Sequence, residues 1–109
     1  MKKRFTQAEI KEYMEANPYG FLFHVGDLAS LNNKDYIFFA YTSERLISAD
    51  NKADYVSSVE VSIASTDYDK VRAVARYVQG LFNIGFTYSN TDEHEYYLAQ
   101  GNTEVFISG

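Results

Sequence analysis

Hydrophobic and polar positions alternate between residues 55 and 63. Tyr55, Ser57, Val59, Val61 and Ile63 fall on one side of an extended chain, with Val56, Ser58, Glu60 and Ser62 on the other. That period of two is the signature of a half-buried strand. After Ala64 the period changes. Val71, Val74, Ala75, Val78, Leu81 and Phe82 recur at helical spacing and line one face, while Arg72, Arg76 and Gln79 point away from it. Thr66 or Asp67 can cap this helix, and Asp69 suits the positive end of its dipole. Gly80 falls inside the predicted helix and Gly85 just beyond it, near a C-terminal stop.

The rest of the chain organises around that strand and helix. Thr6 and Glu9 have the spacing of a capping box and open a short helix with Ala8, Ile10, Tyr13 and Met14 as a partial apolar face; Asn17-Pro18 ends it. Residues 20–25 (GFLFHV) predict a strand with Phe21 and Phe23 facing one way, Leu22 and His24 the other. Residues 26–34 read as loop, with Asn32-Asn33 as turn formers. Residues 35–42 (DYIFFAYT) are apolar on both faces, the mark of a strand inside a sheet. The polar stretch 43–53 (SERLISADNKA) reads as a long connection to the next strand, an extended hairpin turning at Asp50-Asn51. Residues 86–89 predict a brief strand and 90–93 a turn. Residues 94–100 and 103–108 are strand-like, with Gly101-Asn102 between them as a hairpin loop or as a bulge in one long strand. The expected fold class is α+β: a mostly antiparallel sheet of about four to five strands, packed by one main helix (about 67–82) and a short N-terminal helix (about 7–16).

Length and composition narrow the class. The 109 residues make one domain, 1–109, large enough for a modest core. Aromatics form 17% of the chain, with ten Tyr and eight Phe. Tyrosine in that number suits either strands or packed surfaces with one wet edge, such as subunit interfaces. Without cysteine there is neither a disulfide framework nor a thiolate metal site. The longest apolar run, residues 36–41, is too short to span a bilayer. Lys2-Lys3-Arg4 looks like the start of a signal peptide, but the polar residues 6–15 that follow rule out its apolar region. The expectation is an intracellular product with a frayed N-terminus. A net charge of −5 argues against a phosphate-tracking groove.

Candidate chemistry is sparse. Asp92-Glu93-His94-Glu95 holds ligand-type residues, but adjacent residues point in different directions, and a solvated turn is the better reading. Residues 50–54 begin like a calcium loop, yet Lys52, Tyr55 and Val61 occupy positions where such a loop needs a ligand, a glycine and a glutamate. His24 reads as a partly buried, satisfied histidine. Asp27, Asp35 and Asp50 would form a carboxylate pair only if folding brought them together. No nucleophile elbow, phosphate loop or dinucleotide fingerprint occurs in the sequence. No catalytic, metal or cofactor site is therefore expected, and a small binding or structural domain is.

A family resemblance adds to this reading. Its carriers are the aromatic strand 36–41, Ala49-Asp50-Asn51, the strand 59–63, the Thr66-Asp67 cap, the helix 71–82, the segment 84–88 and residues 96–107 before Ser108-Gly109. Over these pieces the chain resembles the tail-completion, or tail-terminator, proteins encoded between head and tail genes in siphophages and prophages of Gram-positive bacteria. The front departs from the family in the 29–34 loop and in an insertion at 43–48. The resemblance implies a virion protein at the head–tail interface, made in the host bacterial cytoplasm, that caps the finished tail tube and helps join it to the head. It implies a homo-oligomer, a hexameric ring contacting the tail tube protein and the head–tail connector proteins, with DNA passing through its lumen without sequence-specific binding and with no membrane. The interface residues expected on this reading are Glu44, Arg45, Leu46, Ile47, Asp50, Asn51 and Lys52 on the connection, and Val105 and Phe106 on a C-terminal sheet edge left open to a neighbour. Two other classes stand beside it: a small prophage-encoded interaction module, regulator or inhibitor, that forms no ring, and a hydrolase using Asp or His side chains.

Overall fold

The computed structural model describes residues 4–25, 35–49, 52–91 and 96–108. In chain order the elements are β1 (Arg4–Phe5), α1 (Gln7–Glu15), β2 (Leu22–Val25), β3 (Tyr36–Ala49), β4 (Lys52–Ser65), α2 (Tyr68–Gln79), β5 (Thr87–Thr91) and β6 (Tyr96–Ser108). The sheet runs β1-β6-β4-β3-β2, and β5 is a further partner of β6. The α+β class, the mostly antiparallel sheet and the two helices are as the sequence predicts. Only β1–β6 and β2–β3 pair in parallel.

Each helix begins where a local side chain satisfies its orphaned N–H groups. Thr6 and Glu9 form the capping box, with Glu9 N donating to Thr6 Oγ1 and Thr6 N donating to Glu9 Oε1, both at 3.1 Å. Asp67, not Thr66, caps α2 by accepting from the N–H groups of Asp69 and Lys70. Helix α2 stops at Gln79, so Gly80 is its C-cap and not an interior residue. The chain tightens there, with Leu81 N and Phe82 N both donating to the Val78 carbonyl, and Phe82 stays buried.

Val71, Val74, Ala75 and Val78 of α2 are fully buried against Val59, Val61 and Ile63 of β4, Ile37 and Phe39 of β3 and Ala99 of β6. Ile10 and Met14 of α1 complete that layer, and the Tyr77 hydroxyl donates to the Tyr13 carbonyl at 2.6 Å to tie the helices together. Gly101 lies under the segment that leaves α2. A Cβ there would stand 2.3 Å from the Gly85 carbonyl oxygen, so only glycine permits this approach.

Four expectations change. Arg4-Phe5 is not frayed; Phe5 is buried against the Phe82 ring at 5.0 Å and pairs with β6. The connection 43–53 is the expected extended hairpin, but its legs are paired strand rather than a link beyond the strands. It forms the far half of β3 and the start of β4, whose pairing runs out to Ala49↔Lys52. Gly101-Asn102 is neither a hairpin nor a bulge, because β6 pairs with β4 without a shift from Tyr97 to Ser108. The bulge lies instead in β3, between Tyr41 and Ser43. Finally, β6 is not an open edge, since β4 flanks it on one side and β5 and β1 on the other. The loop 26–34, the Asp50-Asn51 turn and the acidic stretch 92–95 lie outside the described residues.

Val74→Asp is expected to cost about 3 kcal/mol or more, because it places an unpaired charge in the fully buried layer beneath α2. Arg76→Ala on the exposed face should cost well under about 1 kcal/mol. Thermal melts check this: comparable shifts for the two would mean that the buried face of α2 is wrongly assigned.

Candidate functional site

The sheet is far longer than the layer that covers it. A 14-residue strand spans about 46 Å, close to the molecule's 50 Å long dimension. Helix α2 has 12 residues and α1 has nine, so they are about 18 and 14 Å long. The far part of the β3–β4 hairpin, the arm, has β6 alongside it as far as Asp54↔Ser108, and only the pairs Ser48↔Ala53 and Ala49↔Lys52 pass beyond β6. Beyond the bulge, Glu44 and Leu46 lie on the helix side of the sheet and Arg45 on the other side, and all three are exposed. Leu46 is 58% exposed, the most of any large hydrophobic side chain described.

Among the expected interface residues, Glu44, Arg45 and Leu46 thus share one solvent-facing stretch of the arm. Ile47 and Lys52 lie in β3 and β4 near its tip, and Asp50 and Asn51 fall outside the described residues. The two C-terminal residues separate. Val105 is 2% exposed, opposite Ser57 on the helix side, and belongs to the core. Phe106, opposite Val56, is 42% exposed on the helix-free side.

Two features fix the base of the arm and the outer strand beside it. The Tyr41 hydroxyl donates to Gln7 Oε1 at 3.0 Å, joining β3 to the first turn of α1 just before the bulge. At the bulge, Thr42 Oγ1 donates to the Ser58 carbonyl. The start of β2 is set by Asn17, which is buried. Its Nδ2 donates to the carbonyls of Met14 and Phe21 at 2.7 and 2.9 Å, and its Oδ1 accepts from the N–H groups of Tyr19 and Phe21. Gly20, at φ +74, completes this turn in a conformation that side-chain-bearing residues rarely adopt. The sequence marks Asn17 only as a residue before proline.

His24 is exposed, contrary to expectation, because β2 is the outermost strand and this side chain lies on its helix-free side. Its ring stacks on Phe38 at 5.4 Å and tilts against Tyr36 at 5.2 Å. At the foot of the sheet a cleft of about 470 Å³ is lined by Leu22, Asp35, Ser65, Asp67 and Lys70 among others. Its polar groups serve the structure. Ser65 Oγ donates to Asp35 at 2.6 Å and accepts from Asp67 N, while Asp67 caps α2. Asp27 and Asp50, the other two carboxylates considered for a pair, lie outside the described residues. Among the described residues, no three potential ligands group for a metal ion, and no helix is long and apolar enough to cross a membrane. No protein-family model matches the chain, and no curated protein matches it significantly.

Asn17→Ala is expected to cost about 2–3 kcal/mol, since it leaves buried carbonyl and N–H groups of the turn without partners. Asn17→Asp, which keeps the acceptor and loses the donor, should fall between wild type and Ala. Urea midpoints measure both, and two negligible shifts would mean that the turn holds without this side chain.

Burial pushes the Tyr41 phenol above its ordinary value of 10.0, and the Gln7 amide, which can turn its NH₂ toward a phenolate, pulls it part of the way back. Tyr77 is raised as well, by burial first and then by the proximity of Tyr13. Folded values above the unfolded one mean that the contribution to stability is fully present below about pH 10 and is lost as pH rises through the folded values. Stability should therefore hold to about pH 10 and decline above it, with Tyr41→Phe reducing the slope. A urea midpoint that stays level to about pH 11.5 would contradict this.

Proposed function

We propose that the chain is a structural protein of a phage virion, a ring-forming subunit that caps the completed tail tube and helps join tail to head. The observation that carries this reading is the arm. An α+β body that needed only a tight turn between two strands instead carries both into a long hairpin whose edge strand holds Glu44, Arg45 and Leu46 in solvent. A sheet end whose edge strand, β3, presents an exposed leucine beside charged side chains suits a contact made along the axis of a larger assembly. The family resemblance supplies the kind of assembly: the tail tube protein on one side and the connector proteins on the other, at the head–tail interface of a particle built in the host cytoplasm.

The charge supports the same reading. With 15 acidic against 10 basic residues, the chain offers DNA little reason to adhere through counterion release. A lumen of that character lets DNA pass without sequence-specific binding. The hexameric count rests on the resemblance alone. A free-standing regulator or inhibitor is the competing class, and it requires neither a ring nor an arm.

Replacing residues 48–53 by Asn-Gly between Ile47 and Asp54, which already face each other, shortens the arm without disturbing the rest of the sheet. The trimmed protein should melt within a few degrees of wild type and should still assemble by light scattering. Particles made with it should show separated heads and tails by electron microscopy, in at least about tenfold excess over joined ones. Normal joining by this variant and by one that also carries Leu46→Lys would sink the axial role of the arm. Wild-type protein that remains monomeric at high concentration would favour the free-standing module.

A further inference from the structure

The two outer edges at the foot of the sheet lie at the same height. Following the pairings across the sheet, Leu22, Tyr36, Ala64, Leu98 and Ser89 form one unbroken row. Phe23, Ile37, Ile63, Ala99 and Tyr88 form the next, and His24, Phe38, Ser62, Gln100 and Thr87 the one after. Each row starts on β2 and ends on β5. No described strand pairs with the outer side of either. Their directions also match. β2 is parallel to β3, β3 and β6 are each antiparallel to β4, and β5 is antiparallel to β6, so β5 runs antiparallel to β2.

A second, independent observation falls on the same two strands. The exposed large hydrophobic side chains include Leu22 and Val25 on β2, with Tyr19 just before it, and Tyr88 on β5, with Tyr68 against it at 6.0 Å. Neither LFHV nor TYSNT carries a lysine, a proline or any acidic residue to guard its edge. A groove of about 300 Å³ beside β2 is lined by Phe21 and Phe23, by Leu22 and His24 from the other side of the strand, and by Glu15 at the end of α1.

We infer that β5 of one copy of this chain adds to β2 of the next, antiparallel and head to tail, so that the six-stranded sheets join edge to edge. The partner is a second copy because the chain carries both halves of the contact, equal in height, opposite in direction and similar in length. Helix-side residues meet helix-side residues, Tyr88 beside Phe23, and the main-chain bonds supply an affinity that depends little on side-chain identity. A contact between two different edges repeats without using itself up, and it gives a closed ring where its rotation closes and an open filament where it does not. This names the subunit contact of the ring proposed above, and it rests on that reading for the closure.

The absence of natural cysteines makes the test direct. Leu22→Cys and Ser89→Cys within one chain are four strand spacings apart, about 19 Å, too far to bridge internally. Both positions are exposed. The double variant, joined by mild oxidation or a short bis-maleimide, should give a ladder on denaturing gels that stops at the number found by light scattering. Each single variant should give dimers at most, and His24→Cys with Thr87→Cys should repeat the ladder two rows away. A closed oligomer that yields no ladder from either pair would overturn the β2–β5 contact and leave the ring. A ladder that grows without limit would overturn closure. A ladder from a protein without which heads and tails still join would support the contact and remove the tail role. A chain monomeric at high concentration would overturn both.

Discussion

Strand β4 is hydrogen-bonded to a neighbour along both edges for nearly its whole length, β3 opposing residues 52–64 and β6 opposing 54–65. This double pairing is the constraint on which the rest depends. Val59, Val61 and Ile63 must then share one side of the sheet, and the apolar face of α2 is the nearest surface that can exclude water from them. A slip of one residue would turn all three toward the helix-free side and bring Glu60 and Ser62 beneath α2. Ser65 ends the strand and, through Asp35 and the Asp67 N–H, starts the helix in a fixed place. Strand register, helix phase and helix start are thus set together.

Much of this was legible because it is local. The capping box, the Asp67 cap, the phase of α2 and the alternation in β4 all depend on residues within one or two turns of each other. What the sequence misplaced was decided at a distance. Ser43, Glu44, Arg45 and Leu46 are exposed on both faces of β3, so the alternation that identifies a half-buried strand has nothing to produce it there. β1 is two residues long and exists only because β6 lies beside it. The interior position of β6 depends on β5 and β1, neither of which announces its partner. Of the expected site, Glu44, Arg45 and Leu46 are exposed, while Val105 sits in the core. Its alternation with Glu104 and Phe106 was the available signal, because Val105 and Ile107 share a side that Phe106 does not.

The edges themselves could not be read from sequence. LFHV looks as much like an interior strand as YIFFA does, and only the sheet order makes it outermost. The short outer strands differ from the arm in what they leave open. At the foot, β2 and β5 each present an outer edge that no described strand pairs with, flanked by apolar side chains. At the far end, Phe5 and Ile107 are buried, and the exposed positions carry Glu44 and Arg45 beside Leu46. The first surface suits a repeated contact in which both partners are the same chain. The second, mixed in charge around one leucine, suits a partner of different composition.

The bulge in β3 marks the boundary between these two regions. Below it, through Phe39, β3 is paired on both sides; above it, residues 43–49 have β4 on one side and no described strand on the other. A bulge adds a residue, bends its strand and increases the local twist. A bulge at this point turns the open edge of the arm away from the edge that β2 presents. A copy docked on β2 extends the sheet at the foot without being forced to pair with the arm as well. In the proposed assembly that separation matters, because an arm zipped into the neighbouring subunit could not reach along the axis to a tail tube or connector. In that assembly, one inserted residue would keep lateral self-association and axial contact on different surfaces of the same sheet.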